Sequence, residues 1–363
     1  MSLITFAGCS TSHYLSEEDM ERTEQEGQVF FLSDEERGSI RKAFSDIEYS
    51  PEGCREYVQC IRALAYRVFP ERLVAKLEGL KENDASYCVF DNVPIDTVHG
   101  SPPKGADHLG YKTGCLSENV LVAFGSLIAE PYSIHHEGAR LVNDLVPHPD
   151  ASCEYTGNGS EMELDFHTEN ACQVYDPRGD TSPAGLMLLG LRSDQNAGGP
   201  KTWVSDARAA LGALTENEVE LLYGRHFVIR QPYRWRTADN RASVLYPILS
   251  GPRLYPRVTA VFYPGMVTAV NDAAQAAYLK FYRAVKRVAL AVDIQPGRLL
   301  YVNNRFALHA REKFTPTYDE NGLAYRWVQR LFLTHDLWNF RAFEKTGARI
   351  FLPVSATVGE GMK

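Results

Sequence analysis

Hydrophobic and polar positions change their period once along this chain, near residue 115. Before it, the spacing is helical. Ser33 and Glu36 form a capping-box pattern ahead of a stretch in which Ile40, Ala43, Phe44 and Ile47 recur at helical intervals. A second amphipathic stretch, CREYVQCIRALAYRVFPERLVAKLEGL, is interrupted at Pro70, where a continuous helix cannot pass. SYCVFDNVPI (residues 86–95) then predicts a strand that ends in a proline turn. After residue 115 the pattern becomes short apolar runs between Gly, Pro, Asn and Asp clusters. They include NVLVAFGSLI, ARLVNDLV, EMELDFHTE, AGLMLLGLR, KTWVSD, HFVIRQ, RVTAVFY, GRLLYVNN, FALHA and YRWVQRLFLTHDLW. Such runs predict an all-β sandwich or jelly roll. Two helical insertions interrupt them: TENEVELLYG, and NDAAQAAYLKFYRAVKRVALAV with Asn271 as its N-cap. The expectation is an α+β, mainly β protein.

Length and composition narrow this further. With 363 residues, 44% hydrophobic and 23% charged, the chain can bury a substantial core. Its formal charge of −8 disfavours a nucleic-acid partner, which needs a clustered basic surface. No apolar run reaches the roughly 20 residues that span a bilayer, and the N-terminal MSLITFAGCSTSHY lacks a secretory pattern, so a cytoplasmic location without membrane contact is expected. Seven scattered cysteines with no CxxC spacing indicate neither a zinc ribbon nor a disulfide framework. There is no GxxxxGK[ST], no strand–GxGxxG–helix unit and no GxSxG elbow, so phosphate-cradling and simple hydrolase sites are unsupported. The acidic segment SEEDMERTEQEG within residues 1–30 reads as a flexible arm.

The chemistry concentrates in His167-Thr168-Glu169 and in the distant NNRFALHAR, which ends with His309 and Arg311. Two imidazoles and a carboxylate can fill one face of an octahedral ferrous ion and leave three positions open. In a strand, residues i and i+2 point the same way, so His167 and Glu169 could reach one ion, with a second strand supplying the third ligand. His-x-acid is a cheap pattern, with about one match expected by chance, and the chain has three: His135/Glu137, His148/Asp150 and His167/Glu169. His148 sits between two prolines and His135 lies in a turn-like HHEG. Only His167 falls in an alternating run. Read by itself, a strand histidine of this kind is more often an ordinary hydrogen-bonded residue than a ligand.

TGNGSEMELDFHTENA, QPGRLLYVNNRFALHAR and YRWVQRLFLTHD together resemble the clavaminate synthase-like group of Fe(II)/2-oxoglutarate oxygenases, within the taurine dioxygenase superfamily. EGARLVNDLVP and SYCVFDNVPI extend the likeness over roughly residues 86–340. The resemblance implies a double-stranded β-helix (jelly-roll, cupin-like) core with an N-terminal helical layer and helical insertions. The oxygenase domain would span 31–363, divided into helices and first strand (31–114), core (115–345) and C-terminal tail (346–363). It implies iron held by His167, Glu169 and His309, with 2-oxoglutarate and O₂ as co-substrates. Arg326 matches the residue that binds the distal 2-oxoglutarate carboxylate. Fe²⁺, one carboxylate and the 2-oxoglutarate dianion sum to roughly −1, which one buried guanidinium neutralises. Thr202 matches a threonine that assists this binding, although an ordinary strand threonine would read the same.

Arg330, four residues on and hence on the same strand face, matches the arginine that takes a substrate α-carboxylate. Glu137 matches the position that holds the α-amino group. The implied reaction is hydroxylation of an unactivated β or γ carbon of a free amino acid or small derivative, releasing succinate and CO₂. Alternatives are desaturation, cyclisation or epoxidation at the same iron, an amino acid borne by a carrier protein, and a non-catalytic metabolite-binding β-helix. A monomer or homodimer is expected. Relatives that act on arginine carry acidic residues where this chain has RVTAVFYPGM flanked by Arg253 and Arg257. RQPYRWRTADNR adds Arg230, Arg234, Arg236 and Arg241, so a cationic substrate side chain is disfavoured. Asn170 stands where many relatives have Asp after HTE.

Overall fold

A computed structural model describes residues 29–97 and 112–353, apart from 156, 158, 177–178, 197–198 and 233–243. The acidic arm up to residue 28 and Arg234, Arg236 and Arg241 lie outside the described residues.

Strand β1 (Val29–Phe31) precedes helices α1 (Asp34–Phe44), α2 (Arg55–Val68) and α3 (Glu71–Gly79). Strand β2 (Tyr87–Asp91) and helix α4 (Leu116–Ile128) lead into β3 (Glu130–Ile134), β4 (Asn143–Leu145), β5 (Leu164–His167), β6 (Gly185–Arg192) and β7 (Thr202–Asp206). Helices α5 (Ala207–Leu211) and α6 (Glu216–Tyr223) are followed by β8 (Phe227–Ile229), β9 (Leu249–Ser250), β10 (Arg257–Val258) and β11 (Val267–Ala269). After α7 (Asp272–Arg287) come β12 (Leu290–Val292), β13 (Leu299–Asn303), β14 (Ala307–Arg311), β15 (Trp327–Thr334), β16 (Glu344–Gly347) and β17 (Ile350–Leu352).

The large sheet runs β1-β2-β13-β6-β15-β3-β17-β16, with β4 also paired to β15. A smaller sheet runs β12-β7-β14-β5, and β8/β11 and β9/β10 form two short pairs. Strand β15 is buried along its whole length, because helices cover one face and the small sheet lies on the other side. Its residues alternate accordingly. Trp327, Leu331 and Leu333 join the cluster under α1–α4. Val328 and Phe332 join the inner cluster with Leu186, Leu188 and Val204. A third cluster packs α7 against the outer side of the small sheet through Phe281, Leu308 and Ala310.

The sequence pattern locates most elements. Ser33 and Glu36 make the reciprocal capping bonds, Pro70 separates α2 from α3, and Asn271 caps α7 through its side chain. One reading is corrected: NVLVAFGSLI is not a strand but most of α4. All thirteen residues of α4 are buried, so no polar stripe marks its period. Gly125 lets α4 lie close on the sheet, since a Cβ there would stand 2.8 Å from Leu331 Cδ2. Two boundaries also shift. The end of the expected second insertion, Leu290–Val292, is an edge strand, and Ile350–Leu352 of the expected tail pairs in parallel with β3. Among the described residues, no helix is long and apolar enough to cross a membrane.

Candidate active site and metal centre

A cavity of about 560 Å³ opens between the two sheets, and it gathers His167, Glu169, His309, Thr202, Arg326 and Arg330 in its lining. The small sheet brings the histidines together. His167 ends β5, His309 sits mid-β14, and the two are direct partners in the antiparallel register, with ring centroids 4.1 Å apart. Glu169 is held differently from the i, i+2 strand expectation, because β5 stops at His167. Its backbone is clamped by Asn304, whose Oδ1 accepts from the Glu169 N–H (2.7 Å) and whose Nδ2 donates to the Glu169 carbonyl (3.1 Å). Thr168 N–H donates to the Ala260 carbonyl, and Asn170 adopts the left-handed region (φ 51°), which turns the chain away.

One ligand atom from each of His167, Glu169 and His309 lies within 4.8 Å of the others. The donor set fits a metal chemically. His167 Nδ1 donates to the Asp165 carbonyl (2.9 Å) and lies 2.8 Å from the Tyr263 hydroxyl, which leaves Nε2 as the nitrogen with a lone pair. Burial, and then the His309 ring, lower the His167 pKa to about 3, so the imidazole is neutral and able to ligate. Burial alone would raise the Glu169 carboxyl. The His309 contact and the Arg330 guanidinium outweigh it and hold the group well below the usual carboxylate range. His309 Nε2 stands 3.7 Å from Glu169 Oε2. Two imidazoles and one carboxylate are the ligand set of a non-haem ferrous site with open positions.

Arg326 immediately precedes β15 and is 7% exposed, yet no carboxylate pairs with it among the described residues. Burial, reinforced by the neighbouring Arg311, lowers its pKa to about 9. A buried guanidinium without a counter-ion calls for an anionic ligand. Thr202 lies on the same cavity wall, at the start of β7 and opposite Arg311 in register.

Arg330 is two alternations further along β15 and is engaged on both sides. Its NH2 meets Glu137 Oε2 at 2.9 Å and its NH1 lies 3.8 Å from Glu169 Oε2. The Glu137 carboxylate is therefore buried against Arg330, and it is the Arg330 end of this pair that reaches the cavity. Arg253 and Arg257 are not brought to the site: they pair with Glu220 and Asp180 elsewhere. Arg230 does line the cavity, and donates to the Gly265 carbonyl and Thr268 Oγ1.

Three residues of the site escape residue-by-residue reading. Asn304 and Arg311 sit inside the NNRFALHAR segment, but nothing in their spacing reveals what they hold. Arg311 ties the loop before β5 to β14 by donating to the Gly159 and Met162 carbonyls. Tyr263 lies 96 residues from His167 and carried no signal beyond being an aromatic in an apolar run.

Residues 117–332 match the model of the taurine catabolism dioxygenase TauD, TfdA family. That is more than half of the chain, and the chain belongs to this family of dioxygenases. It is 27% identical over 291 residues to the L-asparagine oxygenase of Streptomyces coelicolor, covering 79% of this chain and 83% of that protein. It is 25% identical over 349 residues to the L-lysine 3-hydroxylase of Catenulispora acidiphila, covering 91% and 90% of the two chains. Among solved structures, asparagine oxygenase in complex with Fe(II), 2S,3S-3-hydroxyasparagine and succinate superimposes with a TM-score of 0.78 at 23% identity, covering 90% of this chain and 100% of that one. The non-heme iron oxygenase OrfP in complex with Fe and alpha-ketoglutaric acid gives a TM-score of 0.76 at 23% identity, covering 89% and 99%.

Proposed function

We propose that this protein is an Fe(II)- and 2-oxoglutarate-dependent oxygenase that hydroxylates a free amino acid or small amino-acid derivative, built as one oxygenase domain on a double-stranded β-helix. The observation that carries this reading is the meeting, in one cavity, of a His167/Glu169/His309 donor set with a buried Arg326 that pairs with no carboxylate among the described residues. Ferrous iron, 2-oxoglutarate and O₂ together supply the oxidation of a C–H bond to C–OH, with succinate and CO₂ as co-products.

The chain's own residues bind and orient. His167, presenting Nε2, with Glu169 and His309 would hold the metal. Arg326, assisted by Thr202, would take the distal 2-oxoglutarate carboxylate in a charge-assisted pair shielded from water. Arg330 and Glu137, already paired with each other, would exchange that contact for the two ends of a zwitterion, with the α-carboxylate on Arg330 and the α-amino group on Glu137. Leu186, Leu188 and Val328 wall the site with apolar surface, which limits water at the reacting centre.

The deciding assay is succinate release by the full-length protein with iron, 2-oxoglutarate and O₂ omitted one at a time. Loss of succinate on each omission is expected. Release that persists without iron would overturn the proposal.

A further inference from the structure

The turn that carries Glu169 to the metal set leaves one polar group unaccounted for. Its backbone is pinned on both sides of residue 170. Thr168 N–H donates to the Ala260 carbonyl (2.9 Å), Asn304 brackets Glu169, and the Asn170 carbonyl accepts from Gln173 N–H (2.9 Å). The Asn170 side chain has no such anchor. It precedes the short helical turn Ala171–Gln173 without making a capping bond, and its Nδ2 is buried with no hydrogen-bond partner among the described residues. Asn170 is 6% exposed and lines the cavity, directly after a metal-set carboxylate.

The left-handed backbone at residue 170 (φ 51°) accounts for the residue type, since Asn enters this region more readily than most side chains. It does not account for a carboxamide set in a cavity wall with its donor unpaired. A buried donor left without an acceptor costs more than a made hydrogen bond contributes, so folded proteins keep few of them. A ligand that brings an oxygen acceptor removes that cost as it binds. In the reading above Arg326 takes the distal 2-oxoglutarate carboxylate and Arg330 the α-carboxylate, so the acceptor expected at Asn170 is on the substrate's side chain.

We propose that Asn170 is a specificity-determining residue whose amide donates to an oxygen on the substrate's side chain, so that the prime substrate is an α-amino acid bearing a side-chain carboxamide, hydroxyl or carboxylate. On binding, the amide turns about its own side-chain torsions to meet that oxygen. This rests on the proposed oxygenase reading and deepens it.

Two assays on the full-length protein keep the two apart. In the first, iron(II) and 2-oxoglutarate are added without O₂ or amino acid, and the visible absorption of their chelate is recorded; failure to form it overturns the oxygenase reading itself. In the second, near-isosteric amino acids are compared in pairs for stimulated succinate release and for a product one oxygen heavier: asparagine with leucine, glutamine with methionine, threonine with valine. Aspartate and glutamate supply the same acceptor as an anion, and lysine and arginine supply donors only. An oxygen-bearing amino acid is expected to lead, exceeding its apolar isostere by roughly 100-fold. A lead by aspartate or glutamate assigns the oxygen to a carboxylate, and a lead by asparagine, glutamine or threonine assigns it to a neutral group. A lead by leucine, methionine, valine, lysine or arginine, or stimulation by none of the panel while the chelate forms, overturns the inference.

Asn170→Gly keeps the left-handed backbone and removes the amide. It should raise the KM for the preferred amino acid by roughly 10- to 100-fold and cut that amino acid's advantage over its apolar isostere by a similar factor. Iron content and the 2-oxoglutarate KM should stay unchanged. A loss shared equally by both members of the pair, as a merely structural role would give, or a rise in the 2-oxoglutarate KM instead, would overturn the assignment.

Discussion

His167 and His309 are cross-strand partners, with β5 and β14 holding their rings 4.1 Å apart. A ladder pair of this kind is set by backbone register, so the two imidazoles are already convergent before any metal arrives. Replacing either with alanine should therefore abolish iron binding and turnover while the sheet survives. Iron content after desalting and the thermal midpoint check this together. A variant that keeps full iron occupancy would remove that histidine from the metal set.

Arg326 is buried without a carboxylate partner among the described residues; Asp194 and Asp293 favour its charge without pairing with it, and the Phe314 ring lies 5.6 Å away. Charge-assisted hydrogen bonds are worth about 1.5–3 kcal/mol, so Arg326→Ala should weaken 2-oxoglutarate binding by roughly 10- to 100-fold. The KM for the amino acid should move little. Titrating each ligand against the variant separates the two. A selective loss of amino-acid affinity would exchange the roles of Arg326 and Arg330.

Tyr263 shares the His167 Nδ1 with the Asp165 carbonyl. Removing the hydroxyl in Tyr263→Phe leaves the carbonyl to fix the ring, so the metal site should survive but bind more loosely. Partners that orient a ligating histidine are worth about 10- to 100-fold in metal affinity, and the lower end is expected with one partner retained. A competitive iron-chelator titration measures the change. An unaltered affinity would make the hydroxyl contact incidental.

How much of this was legible in the sequence depended on whether a feature was local. Ser33/Glu36, Pro70 and Asn271 act within one turn, and their readings match the structure. The HTE and HAR segments pointed to one site through the family resemblance; alternation alone left His167 an ordinary strand histidine, and Glu169 lies beyond the end of β5, a neighbour of β14 in the small sheet. What failed was long-range or two-sided. Helix α4 is apolar on every face because helices, sheet and loops surround it, and its period vanished. Arg253 and Arg257 looked like site residues until their partners, Glu220 and Asp180, were in view. Glu137 meets Arg330 across 193 residues, a pairing that no local pattern encodes.

Asp144 sits behind the cavity wall on β4. Its Oδ1 accepts from Trp327 Nε1 (2.8 Å) and Gln329 Nε2 (3.1 Å), and Gln329 Nε2 also donates to Glu118. Burial, and then the Glu118 charge, push the Asp144 pKa up to about 6. The folded chain thus holds this proton more tightly than the unfolded chain does. Its favourable contribution is complete below the ordinary aspartate value near 3.8 and is lost as pH rises through about 6, a difference of about 3 kcal/mol. Asp144→Asn keeps the Oδ1 acceptor for Trp327 and Gln329 but removes the charge. The variant should be more stable than the parent at pH 8, and its advantage should shrink as pH falls from 6 towards 4. Thermal midpoints across that range measure it. A pH-independent difference between the two proteins, or a less stable variant at pH 8, would show that Asp144 is ionised in the fold at no cost.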